Sequence, residues 1–280
     1  MEKIAIISDI HGNLEALKSV LLDVENRGIN RIICLGDIIA KGIHPSECLQ
    51  LVKENCETIL QGNCDEYFSK ETTLFKIDEI ERTRIQWNKN MVSADDQDFL
   101  LKLPFSYEFY ISGSLIRLFH ASPTSNSSFI ANLDSLDKKI KMFYPSSKTL
   151  SNEIADIVIY GHIHTQYLDR IYNKTLINAG SVGNEIDIIR NPEKDGKNEE
   201  TTNAFYVILE GNYKSKEYAP LNIQLVRVPY DIDKELNSKI NGNINIEKDS
   251  YEMELREGKY RDMEKIYKSF ESRGIDKTKI

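Results

Sequence analysis

Apolar residues in this chain come in short blocks that close on glycine or polar side chains, and between the blocks they recur three and four apart. Lys3–Ser8 is one such block and reads as a buried strand ending in polar residues. Asn13 then stands where a helix cap belongs, ahead of Leu14, Leu17, Leu21 and Val24 at helical spacing, with a stop near Gly28. Arg31–Leu35 is the second buried strand, and Pro45 sits just inside the next amphipathic stretch, where proline suits a first helical turn. Thr58–Leu60 is a third short strand. This β-α-β-α-β order predicts parallel strands in a sheet covered on both faces. Ligand sites in such sheets lie beyond the carboxyl ends of the strands.

Residues from about 68 to 103 change character, being charged and helical in pattern. Ser106–Ile111 and Leu115–Phe119 follow as two strands joined by Ser112-Gly113-Ser114, a hairpin signal. A polar, helix-prone stretch leads to Ile157–Tyr160, another buried strand, and then to Tyr167–Ile171 and Thr175–Asn178. Residues 191–203 are too polar to pack and are expected to form an exposed or mobile loop. Ala204–Leu209 and Ile223–Val228 are two more expected strands. From about 231 the chain turns helical and charged, with disorder expected in its last few residues.

Composition narrows the class. With 40% hydrophobic and 29% charged residues over 280 positions, the chain suits a water-soluble fold with a sizeable core. No apolar run approaches the ~18 residues that span a bilayer, and the first residues lack the pattern of a signal peptide. A net charge of −8 argues against sequence-independent binding to nucleic acid, yet leaves an anionic substrate open, because bound metal ions reverse the local field. Cys34, Cys48, Cys56 and Cys64 form no C-x-x-C pair, which excludes a zinc ribbon, and with no secretory signal they are expected to be reduced cytoplasmic thiols.

Five segments place a candidate metal ligand just after an expected strand. Asp9 and His11 are two apart, so an extended backbone would point both to one side. Gly36-Asp37 turns the chain and delivers a carboxylate. Gln61-Gly62-Asn63-Cys64-Asp65 adds oxygen-bearing side chains, Phe119-His120 an imidazole, and Gly161-His162-Ile163-His164 a second pair two apart. Singly, each has an ordinary structural explanation, since short motifs of this kind recur by chance. Jointly they do not, because four of the five histidines fall in these strand-end positions. Two cations about 3.5–4 Å apart need a shared carboxylate, several imidazoles and a neutral oxygen donor, and Asp37 is the best bridging candidate. Such a pair makes a bridging hydroxide available near neutral pH and neutralises phosphoryl oxygens for in-line displacement. His44, the fifth histidine, precedes Pro45 in the loop after Asp37; it reads as a solvated loop residue, with substrate contact as the alternative.

The ordered series D-I-H, G-D, G-N-C-D, H-A-S-P and G-H-I-H, followed by Asn178-Ala179-Gly180-Ser181-Val182-Gly183, resembles the calcineurin-like metallophosphoesterase superfamily and its small prokaryotic phosphoesterase branch. The resemblance implies an α/β fold, a four-layer α/β/β/α sandwich, with additional helices in the middle and at the C-terminus. It implies a domain over 1–230 with a helical insertion near 68–103, and a helical extension over 231–280 packed on the same domain. Carried over by position, Asp9, His11, Asp37 and His164 would hold one metal, and Asp37, Asn63, His120 and His162 the other, with Asn63 also donating to a substrate phosphate. The ions implied are two divalent cations, manganese first, with iron, zinc, nickel and magnesium also admitted. Cys64 stands where many members carry a histidine that protonates the leaving group. A thiol beside two cations tends toward thiolate and has no proton to give, so protonation would fall to water or be dispensable; a packed neutral thiol is the other reading. The activity implied is hydrolysis of a small phosphorylated or nucleotide substrate: a phosphodiester, a phosphomonoester or a phosphoanhydride. The alternatives are a dinucleoside polyphosphate hydrolase specifically, or a catalytically inactive scaffold of the same fold, which retention of all seven ligand-type residues disfavours. The residues leave open whether the chain is a homodimer.

Overall fold

Strand β1 (Glu2–Ile7) sends alternate side chains into two different cores, as the period of two in a strand requires. Ile4 and Ile6 enter one, Ala5 and Ile7 the other. The computed structural model describes residues 1–67, 79–186, 203–238 and 248–258, with the single positions 264, 268, 271, 272 and 274. The loop expected over 191–203, apart from Asn203, and the last residues, 275–280, lie outside the described residues, as does 68–78 of the middle segment.

Helix α1 (Leu14–Asn26) follows β1, capped by the Asn13 side chain accepting from the Ala16 N–H. Then come β2 (Arg31–Cys34), α2 (Pro45–Asn55) with proline in its first turn, β3 (Thr58–Ile59) and the single turn α3 (Asn63–Glu66). The middle segment holds α4 (Glu79–Met91) and α5 (Ala94–Leu101), as its pattern predicts. A hairpin follows, β4 (Ser106–Ile111) and β5 (Ser114–Phe119); Ser112 and Gly113 both take positive φ, which matches the right-handed twist of the flanking strands. The polar stretch after it is less helical than its composition suggests. It holds only α6 (Leu136–Ile140) and a 3-10 turn, because Pro123, Pro145 and the serine-based turns beside them at Ser122–Ser125 and Ser146–Thr149 keep ending the helix. β6 (Ile157–Tyr160), β7 (Tyr167–Ile171), β8 (Lys174–Asn178), β9 (Ala204–Gly211) and β10 (Asn222–Val228) follow, then α7 (Ile232–Leu236) and α8 (Lys248–Glu257).

The strands form two five-stranded mixed sheets, ordered β10-β9-β1-β2-β3 and β4-β5-β6-β8-β7. The first sheet runs parallel over β1-β2-β3 to the β3 edge, with antiparallel β9 and β10 on the other side; in the second, parallel β5-β6-β8 lie at the centre with antiparallel β4 and β7 at the edges. The sheets face each other across Ile4, Ile6, Ile33, Leu118, Ile159, Ile177 and Val207. Helices α1 and α2 cover the outer face of the first sheet over Ala5, Ile7, Leu17, Val20, Leu49 and Val52. A thinner layer around α6 and Phe143 covers Val158, Tyr160 and Leu176 on the other. The result is the four-layer α/β/β/α order expected.

At the C-terminal end, Leu236, Tyr251 and Leu255 pack with Ile43 and Trp87, so α7 and α8 lie against the loop after β2 and against α4. A fully buried pair, Arg84 with Glu254 at 3.3 Å, ties α4 to α8. One turn further along α4, Asn88 Nδ2 donates to the Arg84 carbonyl and Asn88 Oδ1 accepts from the Ala40 N–H.

Candidate metal centre

The parallel strands of both sheets end on the same side of the molecule, and every candidate ligand lies within a few residues of such an end. The chain leaving β1 runs beside the chain leaving β2: Asp9 N–H donates to Gly36 O (3.0 Å) and His11 N–H to Asp37 O (2.9 Å). The second sheet closes from the other side, with Gly161 N–H on His120 O and Val182 N–H on Ser8 O. Close approach depends on glycine: a Cβ on Gly62 would stand 2.1 Å from Asp37 Oδ1.

Asp9 and His11 were expected to share a side through an extended backbone, and that reason is corrected. Both are in the left-handed region, with φ of 54° and 52°, as are Asp37 (53°), His162 (69°) and His164 (65°). Such a conformation is sparsely populated by non-glycine residues and is held at functional sites by the surrounding structure. Here the backbone hydrogen bonds between the two strand-end loops hold it.

The side chains converge. Asp9 Oδ1, fully buried and without a hydrogen-bond partner among the described residues, lies 3.2 Å from His164 Nε2, 3.7 Å from His11 Nε2 and 4.0 Å from His120 Nε2. Asp37 Oδ2 lies between His11 Nε2 (3.7 Å) and His120 Nε2 (3.5 Å). The Asn63 amide approaches His120 Nε2 at 3.1 Å and His162 Nδ1 at 2.8 Å. Thus all seven predicted ligands meet in one place. Three histidines have their Nδ1 N–H directed at backbone carbonyls, His11 at Ile39 (3.3 Å), His120 at Leu35 (3.0 Å) and His164 at Asn184. That fixes the tautomer that leaves a lone pair on each Nε2. His11 and His164 then point two lone pairs at each other across 3.0 Å, an arrangement that repels unless a cation lies against both.

Three groupings have ligand atoms within 4.8 Å of one another: Asp9, His11 and His164; Asp9, Asp37 and His120; and His11, Asp37 and Cys64. Oxygen and imidazole donors in this proportion fit divalent ions of the manganese, iron and zinc kind.

These features are those of a recognised protein family. The sequence profile of the calcineurin-like phosphoesterase superfamily domain matches residues 2–191. The chain belongs to that superfamily. An uncharacterized protein of Methanocaldococcus jannaschii is 32% identical over 247 residues, covering 82% of this chain and 89% of its own. Among solved structures, a metallophosphoesterase from Sphaerobacter thermophilus superposes with a TM-score of 0.65 at 21% identity, over 92% of this chain and 99% of that one. A hypothetical protein from Pyrococcus horikoshii gives 0.69 at 15% identity, over 93% and 100%. At those identities the two structures speak for the fold alone.

Charge in this superfamily member's centre is strongly redistributed. Burial pushes Asp9 and Asp37 up, but His164 and His120 beside Asp9, and His120 and His11 beside Asp37, outweigh it and hold both carboxyls well below their usual range. Burial pulls His120 down, yet Asp37 and Asp9 overcome it and push it up to about 9. Burial and the neighbouring His120 lower His162 to about 3, while burial and the Lys41 charge keep His11 well below its ordinary value. Two carboxylates held in their charged form among imidazoles offer a divalent ion the anionic oxygens it binds.

His44 caps the start of α2, donating its N–H to Gly12 O, with Nδ1 3.6 Å from Glu47. Its ring is buried rather than solvated, and among the described residues no hydrogen bond or ion pair joins it to the ligand cluster. Cys64 is buried, donates its N–H to Asp37 Oδ1 and receives the Asn63 amide at Sγ (3.4 Å).

Sequence reasoning passed over the supports. Asp65 Oδ2 accepts from Asp37 N–H (2.7 Å) and Gly62 N–H (2.9 Å), and Oδ1 from Ile38 N–H (3.2 Å), so one carboxylate fixes both glycine turns. Burial and the Asp37 charge push it up to about 7. Ser8 Oγ and the His162 N–H both donate to Asp9 Oδ2, turning Oδ1 inward. Ser181 Oγ donates to Asp9 O, and Asn178 Nδ2 to Gly161 O. The acidic residue after G-N-C was in view in the motif, but its role needs the three-dimensional approach of β2 and β3.

Proposed function

We propose that this chain is a metal-dependent phosphoric ester hydrolase with a dinuclear centre, acting on a small phosphorylated or nucleotide substrate. One observation supports the reading: among the described residues Asp9 Oδ1 has no hydrogen-bond partner and the Nε2 atoms of His11 and His164 face each other at 3.0 Å, an arrangement a cation held against all three would satisfy. Asp9, His11, Asp37 and His164 would hold one ion and Asp37, Asn63, His120 and His162 the second, a division supported by Asp37 Oδ2 lying between His11 and His120. Bound there, divalent ions supply an acidified water near neutral pH and neutralise phosphoryl charge.

The chain's own residues do the rest. Asn63, with its amide at the edge of the centre, donates to a phosphoryl oxygen and steadies charge as it develops. Asp65 holds Asp37 at the bridging position. Cys64, a thiol next to Asn63 and Asp37, would tend toward thiolate beside two cations and give no proton to a leaving group, which favours leaving groups that depart as stable anions. Manganese is the metal proposed first, and the cytoplasm the compartment, since four cysteines outside any disulfide suit a reducing environment. No helix among the described residues is long and apolar enough to cross a membrane.

The test is metal analysis of the purified protein, followed by a manganese-supported screen of monoester, diester and dinucleotide substrates. Expected are about two metal equivalents and turnover lost on chelation. Protein that takes up no metal and cleaves none of the panel would instead be a scaffold that keeps the fold without the chemistry.

A further inference from the structure

The peptide group joining Ile39 to Ala40 is gripped on both sides. Its carbonyl receives His11 Nδ1 (3.3 Å), and its N–H donates to Asn88 Oδ1 (3.0 Å). Asn88 is fully buried on α4, outside every motif that carries a ligand, and none of the roles above uses it. Its amide can face only one way. Nδ2 donates to the Arg84 carbonyl (2.9 Å), which leaves Oδ1 for Ala40; the reverse orientation would set donor on donor and oxygen on oxygen. The helix beneath it is fixed in turn from α8, where Glu254 and Ser250 receive the Arg84 guanidinium at 3.3 and 3.2 Å.

Ala40 depends on this grip. Its φ is 70°, a region alanine rarely adopts, so the conformation is held by its neighbours. The loop is also seated on the ligand's own backbone: Gly42 N–H donates to His11 O (2.6 Å), and a Cβ on Gly42 would stand 2.4 Å from that oxygen. Releasing Ala40 would let the Ile39–Ala40 peptide turn and carry its carbonyl away from His11 Nδ1. Donation to Asn88 also polarises the peptide and makes Ile39 O the better acceptor. A better acceptor on Nδ1–H raises the basicity of Nε2 and fixes the ring toward a cation. His120 and His164 lean instead on the Leu35 and Asn184 carbonyls, and among the described residues no hydrogen bond joins Asn88 to either.

We propose that Asn88 is a positioning residue for His11, acting through the Ile39–Ala40 peptide, so that the helical segment before β4 sets the affinity of one of the two metal sites. It rests on the metal-centre reading and adds which residue outside the ligand motifs tunes one ion.

The experiment compares wild type with Asn88→Leu, which keeps the branched shape but offers no acceptor, Asn88→Asp, which keeps the acceptor, and Ile85→Ala, a buried position on the same helix that touches neither partner. Calorimetric titration with manganese is expected to show one equivalent weakened about tenfold in Asn88→Leu and the other within about threefold, the low end for an outer-shell partner. Asn88→Asp and Ile85→Ala lose stability but hold both equivalents within about threefold of wild type. In zinc-loaded protein the Nδ1–H protons of the ligand histidines are followed by NMR. That of His11 should exchange with water at least about fivefold faster in Asn88→Leu, with those of His120 and His164 unchanged. No loss of metal, equal loss of both equivalents, a matching loss in Ile85→Ala, failure of Asn88→Asp to restore binding, or an unchanged His11 proton each overturn the positioning role. Wild type that binds two equivalents and hydrolyses nothing removes the hydrolase reading and leaves the role to these outcomes, whereas wild type that binds no metal overturns both. Should Asn88→Leu not fold, Asn88→Ala carries the same expectation.

Discussion

Gly62→Ala probes the placement of Asp37 without touching a ligand. The new Cβ would stand 2.1 Å from Asp37 Oδ1 and 2.3 Å from Asp37 N, where ordinary contact begins near 3.4 Å. Relief requires the Asp37 carboxylate to retreat by roughly 1 Å, beyond the ~0.5 Å within which a catalytic constellation must be held. Retreat also breaks the hydrogen bond from Cys64 N–H to Asp37 Oδ1 at 2.8 Å. Overpacking of this kind costs about 1–3 kcal/mol of stability. Metal affinity should fall about 10–100-fold. A 1 Å misplacement should slow turnover roughly 10²-fold. Gly28→Ala is the control: Gly28 has φ of 65° but nothing within 4 Å of a new Cβ. It should lose only about 1–2 kcal/mol to the left-handed conformation, with metal content and rate unchanged. Metal analysis after dialysis, kcat/KM on p-nitrophenyl esters and urea unfolding separate the two variants. A Gly62→Ala protein that holds two equivalents and turns over within about threefold of wild type would refute Asp37 as the bridging ligand, given that geometric tolerance.

Three further outcomes are expected. Glu254→Ala strands the buried Arg84 guanidinium and should cost about 3–5 kcal/mol in urea unfolding; a loss below about 1 kcal/mol would mean the pair is hydrated. Glu235, buried and near the Glu15 carboxylate, is pushed up to about 7 from 4.5, so its contribution to stability is complete below pH 4.5 and fades as pH rises through 7. Glu235→Gln should therefore flatten that fall and raise stability at pH 8 by up to roughly 2–3 kcal/mol, and melting curves with the parent's slope across pH 5–8 would contradict it. Cys64→His should raise activity on alkyl phosphates more than on aryl phosphates by supplying a proton to the poorer leaving group, and equal change on both would count against the role given to Cys64.

Most of the fold was readable because both periods are clean. Ile4 and Ile6 against Ala5 and Ile7 mark a strand between two cores, and Leu14, Leu17 and Val20 mark one helical face. The strands end one residue earlier than the apolar runs at Ser8, Leu35 and Leu60, since apolar content continues into the turns that carry the ligands. The ligands were legible because histidine is scarce here and clusters at strand ends. Asn88 and Asp65 were not. An amide on a helix of the middle segment and an acid inside a motif look like ordinary surface residues until elements from different parts of the chain bring them to the centre. The helix-prone appearance of the stretch before β6 misled for a related reason: its lysines suit helices, but its prolines and serine turns decide.

Five candidate ligands occupy left-handed backbone, and that sets stability and function against each other at those positions. Aspartate and histidine are among the types that tolerate the region best, yet glycine would relax it at every one of the five. A random library screened for heat resistance alone should therefore lose Asp9, His11, Asp37, His162 and His164 early, gaining roughly 1 kcal/mol at each glycine. Alanine scanning here would mix lost chemistry with altered strain, whereas Asp→Asn changes the donor and keeps the backbone preference.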